Sequence, residues 1–377
     1  MRHSTMNSDP IKTSHAASDL ISSKASGSNA SSSKTGGSKA AGSPSKGNAM
    51  NWMKRLFVKI GVLPILMVIA VTIFATASDN FLTARNLLNL LRQSSYLIMV
   101  AIGQMFVLLT AGFDLSVGTI IALSSVVGAT TMAAVYASFP EAIYIAILLG
   151  VLAGVGVGLV VGFINGVGVA HFQVSPFVMT LGISSVGFGV ALYMTGGSPV
   201  YGMPVEFGNT FGFGSILGIP TPILAAFIMT IAAVIVVNRT RLGRYFYAVG
   251  GNIHAAQLSG INTHKTLMMA YLLCALFAAL AGMLITARLD TGEANIGAAM
   301  PLESIAACVI AGVSLRGGVG RVEHVVLGAI FISLVQNGMN LTRVESYLQT
   351  VVIGALLIFA VIVDQIRIRM RASLGAH

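Results

Sequence analysis

Charged residues are scarce in this chain. They make up 9% of its 377 residues, whereas 55% of the residues are hydrophobic. About a quarter of the residues of a soluble globular domain are charged, so this composition excludes an ordinary soluble protein. It predicts instead an all-α polytopic membrane protein that lies in a lipid bilayer.

Cysteine is almost absent as well. Cys274 and Cys308 lie far apart in apolar segments, where thiols are most often packing residues. The sequence therefore predicts no disulfide.

The sequence also lacks the signatures of several kinds of active site. The G-x-x-x-x-G-K-[ST] pattern of a P-loop occurs nowhere, so the chain cannot bind ATP in that way. Paired acids, metal-spaced histidines and nucleophile motifs are missing, and His171, His254 and His264 are scattered in predicted loops. We expect no catalytic residue, metal or cofactor in this chain.

Basic residues give the chain a formal net charge of +10, which would suit a nucleic-acid partner. However, they lie outside the apolar runs, and few aromatic residues interleave with them. Membrane orientation explains them better, because cytoplasmic loops carry an excess of Lys and Arg. We therefore expect no nucleic-acid partner.

The N-terminal residues differ from the rest of the chain. The first 50 residues contain 14 serines and almost no large apolar side chains, a composition that cannot bury a core. We predict a disordered, Ser-rich cytoplasmic arm at residues 1–53. A solvated tail is the simplest interpretation, and a regulatory or anchoring role is the alternative.

Ten apolar runs follow this arm, and a helix needs about 20 residues to cross a bilayer. The predicted spans are residues 60–77, 94–111, 117–137, 142–163, 177–195, 222–238, 266–287, 302–315, 324–341 and 346–363. The run 302–315 is short and contains Glu303. It predicts a broken or re-entrant helix, or one that begins earlier, near Gly297.

Three basic clusters orient the predicted helices. They are separated by six and then four spans, so they lie on one side, which the positive-inside rule makes the cytoplasm. The clusters are Lys54, Arg55 and Lys59; Arg239, Arg241, Arg244 and Lys265; and Arg367, Arg369 and Arg371. Arg85 and Arg92 fall on the other side, and we interpret "LTARNLLNLLRQSS" as an interfacial helix that tolerates them.

Glycines form two conspicuous patterns. Five glycines recur at every fourth position from Gly150 to Gly166, which predicts close helix packing, with a lining of a translocation pathway as the alternative. In addition, "VLLTAGFDLSVG" and "VIAGVSLRGGVG" both consist of an apolar helix, glycine, leucine, glycine and another apolar helix. Paired interrupted segments of this kind indicate a central pathway in transporters.

The basic loop 239–265 contains "NIHAAQLSGIN", which predicts a short helix. Asn252 is a suitable N-cap, and Gly260 is a suitable stop. A small folded helix on such a loop suggests a docking surface for a partner, with an ordinary surface turn as the alternative.

Several motifs together resemble one family. "TAGFDLSVG", "INGVGVAHFQVSPFVMTLG", "YAVGGNIHAAQLSGI", "SIAACVIAGVSLRGGVGRVEHVVLGA" and "QNGMNL" occur in the order found in permease subunits of bacterial ABC sugar importers of the ribose/xylose type. The resemblance covers roughly residues 55–365. It implies a type II ABC importer-like permease domain at residues 54–366, with some short or broken helices, followed by a basic cytoplasmic tail at 367–377.

The resemblance also implies partners. Two copies of the permease would form a pathway at their interface in the bacterial inner membrane. A separate cytoplasmic subunit would bind ATP and magnesium, and a periplasmic sugar-binding protein would deliver a ribose-like monosaccharide. The loop 239–265 would couple the permease to the ATPase through Arg244, Gly250, Gly251, Asn252, Ala255, Ala256 and Gly260.

Asp114 interrupts two uncharged runs, and a buried carboxylate is costly in a bilayer. By parity it lies near the cytoplasm, where it can meet water or cap the following helix near Val117. A structural cap is our main interpretation, and a sugar or gating contact is the alternative. The predicted structural or gating set is Asp114, Gly118, Gly317, Gly318 and Gly320.

Uncharged polar residues in the predicted spans suggest where a sugar would pass. Buried polar groups need partners or water, so a lining should offer hydrogen bonds. The predicted pathway set is Asn165, Ser175, Thr180, Asn337 and Asn340, with Phe177 as a platform for a sugar ring.

Two alternative functions remain open. One is a branched-chain amino-acid ABC permease. The other is an ion-coupled secondary transporter, for which Asp114 and Glu303 are the available intramembrane acids, both at the ends of segments.

Overall fold

The computed structural model describes residues 63–373, which form a bundle of α-helices. The helices are α1 (Leu63–Ala77), α2 (Ala84–Leu109), α3 (Val117–Ser138), α4 (Ile143–Ala170), α5 (Pro176–Thr195), α6 (Val205–Phe207), α7 (Thr221–Arg239), α8 (Arg241–Gly251), α9 (Ile253–Leu258), α10 (Thr263–Leu289), α11 (Met300–Ile310), α12 (Val322–Leu341) and α13 (Ser346–Ser373). Between α6 and α7 lie a π-helical turn (Gly208–Gly212) and an antiparallel hairpin of β1 (Ser215–Ile216) and β2 (Ile219–Pro220). The predicted Ser-rich arm and its basic cluster lie outside the described residues.

Ten of these helices occupy the ten predicted apolar runs. Within residues 63–373, eight helices are long and apolar enough to cross a membrane, and α1 and α11 are shorter apolar helices. The predicted all-α polytopic fold is therefore confirmed. The last helix, α13, continues beyond the predicted span 346–363, so the predicted tail begins within a helix.

The central helix of the bundle is α2, which packs against α7, α10, α11 and α12. Every residue from Ser94 to Leu109 is buried, as expected of a helix that other helices surround. The helix runs unbroken from its N-cap, Thr83. The interfacial helix predicted around Arg85 and Arg92 is therefore not a separate element, because these residues form the first turns of α2.

The glycine face of α4 packs against α3 and α10. All five glycines from Gly150 to Gly166 are buried. A β-carbon on Gly158 would lie 2.7 Å from the β-carbon of Ala279, so only glycine permits this approach of α4 to α10. The structure agrees with the helix-packing interpretation, since helices in lipid associate through such close contacts.

The connection between α10 and α11, residues 290–299, is a non-helical segment that we call the re-entrant segment. It lies along α3: the Glu293 N–H donates to the Ser125 hydroxyl (3.2 Å), and Gly297, with φ +80°, packs against Ile121. The short helix α11 follows it, so the predicted broken span is confirmed. Such backbone is tolerated at membrane depth only where it is buried in protein or lines a cavity.

The two ends of the bundle differ in charge because successive helices alternate in direction. One end, which we call the basic end, carries Arg239, Arg241, Arg244, Lys265, Arg316 and Arg321. The opposite end carries α6, the strand hairpin, the acidic residues Asp79, Glu141, Glu206, Asp290, Glu293 and Glu345, and the basic residues Arg85, Arg92, Arg288 and Arg343. This asymmetry is the one expected if the basic end faces the cytoplasm, and the orientation stays a prediction.

Candidate functional site

The Asp114 turn, residues 110–116, joins α2 to α3 at the basic end. The Asp114 side chain is 0% exposed. Its Oδ1 accepts hydrogen bonds from the Ser116 N–H (2.9 Å) and the Ser116 hydroxyl (2.6 Å). This is an Asx turn, in which a side chain replaces a backbone acceptor. The carboxylate is therefore enclosed by protein. Its bonds go to Ser116, the residue before Val117, and not to the first N–H groups of α3, and its Oδ2 has no hydrogen-bond partner among the described residues.

Polar side chains from three helices surround this turn. Asn165 on α4 donates to the Ser116 hydroxyl (2.7 Å), and Tyr271 on α10 donates to a carbonyl of the turn (3.3 Å). Gln104 on α2, with its amide oriented to pair both polar atoms, bonds the backbone of Asp114 at 3.0 and 3.2 Å. These bonds fix the turn between apolar helices at the basic end.

The Asp114 turn also holds the start of α5. The Leu115 N–H donates to the Thr180 hydroxyl (3.1 Å), which in turn donates to the Pro176 carbonyl (2.8 Å). Thr180 is buried. A displacement of the turn would therefore pull directly on α5.

A second cluster, the glycine junction, consists of Leu109, Gly250, Gly317 and Gly318. The Gly318 N–H donates to the Leu109 carbonyl (2.9 Å), and the Gly250 backbone lies against the same carbonyl, where no β-carbon would fit. Gly317 and Gly318 have φ values of +84° and +70°, a region that favours glycine. The two interrupted segments that the sequence paired are therefore in direct contact.

The helix α8 covers this junction. The Tyr247 hydroxyl donates to the Gly320 carbonyl (2.7 Å). Burial, together with the nearby Glu323 carboxylate, raises the pKa of Tyr247. The phenol is therefore protonated at neutral pH and donates this bond, which joins α8 to the glycine-rich turn.

The next helix, α9, has the predicted boundaries. The Asn252 side chain accepts from the Ala255 N–H (2.9 Å), which is an N-cap. Gly260 follows the helix with φ +80°, and the Ile261 N–H donates to the Ala256 carbonyl (3.0 Å), as in a Schellman motif. The helix is thus capped at both ends by residues of its own segment.

The predicted coupling residues divide by exposure. Gly250 and Ala256 are buried, whereas Arg244, Gly251, Asn252, Ala255 and Gly260 are exposed. Leu258, which the sequence analysis did not select, is 91% exposed at the end of α9. Leu258 and the exposed small residues beside it form the outer surface of α9.

The structure separates the predicted pathway residues. Asn165 and Thr180 lie at the Asp114 turn, whereas Asn337 exchanges two hydrogen bonds (2.9 and 3.0 Å) with Asn86, in the first turn of α2. The length of α2 lies between these two places, so the six residues do not form one cluster. Sequence order gave no information on which end of its helix each residue occupies.

The remaining predicted residues lie at helix ends or beside the re-entrant segment. Ser175 and Phe177 are exposed at the start of α5, and Asn340 accepts from Gln349 (2.8 Å) at the end of α12. Glu303 is buried in α11 and accepts from Gln336 (2.7 Å).

Gly118 and Gly320 are packing positions. A β-carbon on Gly118 would lie 2.7 Å from the Gly297 carbonyl oxygen, and one on Gly320 would lie 3.1 Å from the side chain of Leu109. Gly118 thus sets how closely α3 approaches the re-entrant segment.

Sequence reasoning missed a recess between α3, α5 and the re-entrant segment. Its volume is about 140 Å³, and its lining includes Thr119, Ser184, Phe188, Ile296 and Pro301. Hydroxyl residues inside apolar runs were the available signal, but they are common in membrane helices and do not indicate a shared cavity.

Comparison with known proteins identifies the family. A model described as "Branched-chain amino acid transport system / permease component" matches residues 86–361, most of the described bundle. This chain belongs to that permease family.

The permease is similar to several curated relatives. It is 38% identical to the ribose import permease protein RbsC of Escherichia coli (strain K12), over 80% of this chain and 92% of the relative. It is 40% identical to RbsC of Bacillus subtilis (strain 168), over 79% and 90%, and 36% identical to the D-allose transport system permease protein AlsC of Escherichia coli (strain K12), over 80% and 90%. No solved structure matches the permease. The predicted family resemblance is therefore confirmed.

Proposed function

We propose that this permease is the membrane subunit of an ABC importer and moves a monosaccharide inward at the expense of ATP hydrolysed by a separate subunit. The relatives named above are ribose and D-allose permeases and align over about four fifths of this chain. The sequence contains no P-loop, so ATP and magnesium would belong to the partner.

The observation that carries this proposal is the position of α8 and α9. Together they expose α9, a short helix capped at both ends, at the basic end. Gly250 packs against the end of α2, and Tyr247 is hydrogen-bonded to the turn that precedes α12. A force on α9 would pass through the glycine junction to the Asp114 turn and from there to α5. That is the connection an ATP-driven importer needs between its ATPase and its membrane helices.

The proposed assembly has two permease copies, a cytoplasmic ATPase on the basic end and a periplasmic binding protein on the opposite end. The positive-inside rule favours this orientation, with both termini in the cytoplasm. Much of α5 is exposed in the single chain, which leaves it available to lipid or to the second copy.

Uptake by the reconstituted complex tests the proposal. The permease, its ATPase and its binding protein are placed in proteoliposomes, and uptake of labelled ribose, allose and galactose is measured with ATP and with a non-hydrolysable analogue. ATP-dependent uptake of at least one monosaccharide is expected. No monosaccharide uptake, with the complex assembled and hydrolysing ATP, would contradict it.

A branched-chain amino-acid substrate is the second candidate, because the matching family model is described by that activity. Labelled leucine in the same assay separates the two. Ion-coupled transport is less well supported, since Asp114 and Glu303 are both buried and hydrogen-bonded within the chain. It would give uptake without ATP.

A further inference from the structure

The recess lies beside the middle of α5, where the first turns of α3 and α11 approach it. Ser184 is the ninth of the 20 residues of α5, so about 12 Å of helix precede it and about 17 Å follow it. The neighbouring Thr119 lies in the first turn of α3 and donates to the Ser184 carbonyl (2.9 Å), with the two hydroxyls 3.1 Å apart. Two hydroxyl groups are thus held together where the first turn of α3 meets the middle of α5.

The close approach of α3 and α5 positions these hydroxyls. Gly187 lies against the Thr119 side chain, where a β-carbon would collide with it. A larger residue at 187 would push α5 away from α3 and separate Thr119 from Ser184. The pairing therefore depends on the local sequence of both helices.

The third wall of the recess is the re-entrant segment and the start of α11. Ala294, Ile296 and Ala298 line it, followed by Pro301 in the first turn of α11. In transporters, helices that break near the membrane midplane mark substrate sites, because their unwound backbone and helix ends offer polar groups there. The recess thus has the re-entrant segment on one side and the Thr119–Ser184 hydroxyl pair on another.

Phe188 completes the recess. It lies one turn beyond Ser184 on α5 and is 38% exposed, so part of its ring faces open space. A sugar ring has an apolar C–H face and a rim of hydroxyls, which suits an aromatic face beside hydroxyl donors. The recess, at about 140 Å³, is close to the size of a cavity that binds benzene, so it can receive one face of a sugar ring while the ring's substituents extend beyond it.

We infer that this recess is the place where a monosaccharide contacts the permease during transport, with Phe188 against the ring face and Thr119 and Ser184 toward its hydroxyls. The inference rests on the proposed function and names the residues of its pathway. Because the Thr119 and Ser184 hydroxyls are already paired with each other, their hydrogen bonds to a sugar would be weak, and weak binding allows the sugar to leave the recess.

Cysteine labelling tests whether water and sugar reach the recess. Ser184→Cys is introduced into the otherwise unchanged permease, whose own Cys274 and Cys308 are buried. In the assembled complex, we expect a charged methanethiosulfonate reagent to modify position 184 and transported monosaccharide with binding protein to slow this reaction. Ile228→Cys, at an exposed apolar position on α7, is the control and should stay unmodified. Equal modification of the two positions, or no protection by sugar, would overturn the inference.

Substitutions at Phe188 test the ring contact. Phe188→Leu should reduce monosaccharide uptake by about three- to tenfold at normal protein level, and Phe188→Tyr should retain it. Phe227→Leu on α7, where the ring is 61% exposed, is the matched control and should not change uptake. Wild-type uptake by Phe188→Leu would overturn the assignment of the sugar contact to this recess and leave the proposed function standing. No monosaccharide uptake by the unmodified complex would overturn the proposed function and this inference with it.

Discussion

The N–H of Gly318 donates a 2.9 Å hydrogen bond to the carbonyl oxygen of Leu109, which joins the turn after α11 to the end of α2. Gly250 of α8 packs against the same carbonyl group of Leu109. Three segments that are distant in sequence therefore meet at one carbonyl. Because two of them contribute glycine backbone, the contact transmits displacement with few flexible side-chain atoms between the segments.

Gly250 and Gly251 should respond very differently to the same substitution. We expect Gly250→Ala to destabilise the permease by about 1–3 kcal/mol, because the new methyl group would collide with the Leu109 carbonyl. Gly251→Ala should be tolerated, since the space beside Gly251 is open. Thermal unfolding in detergent compares the two, and equal stability would argue against the glycine junction.

Asp114 is expected to be structural. Asp114→Leu would leave the Ser116 N–H and hydroxyl without their acceptor, at a cost of about 1–3 kcal/mol for each group. Asp114→Asn keeps an oxygen acceptor and should be milder. The folded fraction by size-exclusion chromatography distinguishes the two variants. If Asp114→Leu folds normally but fails in uptake, the gating interpretation is the better one.

The Asn86–Asn337 pair predicts a measurable coupling energy. Each side chain donates to the other, so removing one takes two hydrogen bonds from its partner, although Asn86 keeps its bond to the Phe81 carbonyl (2.8 Å). A double-mutant cycle with Asn86→Leu and Asn337→Leu should give a favourable coupling of about 0.6 kcal/mol, the average for membrane helices. Additive effects of the two substitutions would show that the pair contributes nothing to stability.

The sequence predicted the helices better than the site, for physical reasons. Apolar runs locate the spans because a helix that crosses lipid must have apolar side chains. The limits of α9 were predictable because Asn252 caps its start and Gly260 follows its end, which are local features of the sequence. The pathway residues were grouped by chemical type, and Asn337 proved to be at the other end of α2 from Asn165. Which residues share a cavity depends on packing between distant segments, as at Thr119 and Ser184, and the pattern along one chain does not contain that information.

Orientation can be measured at two serines. Ser259 follows α9 at the basic end, and Ser198 precedes α6 at the opposite end, both exposed. In intact cells a membrane-impermeant thiol reagent should label Ser198→Cys and spare Ser259→Cys until the cells are opened. The buried native cysteines should give little background. Preferential labelling of the 259 site in intact cells would reverse the topology.

Asn165 should behave as a packing residue. It is fully buried and donates to the Ser116 hydroxyl, so Asn165→Leu removes a contact that fixes the Asp114 turn. We expect protein level and uptake to fall together. Normal protein level and ATPase activity with loss of uptake would instead support the predicted pathway role.

The most direct test of coupling through α9 measures sugar uptake and ATP hydrolysis in the same proteoliposomes. Ala255 is exposed on α9, so Ala255→Arg should leave the permease folded while adding bulk and charge to the surface proposed to meet the ATPase. Ala255→Ser is the matched control. The expected result is that Ala255→Arg lowers both uptake and permease-stimulated hydrolysis to background, whereas Ala255→Ser retains both. Wild-type uptake by Ala255→Arg would contradict the proposal that α9 couples ATP hydrolysis to transport.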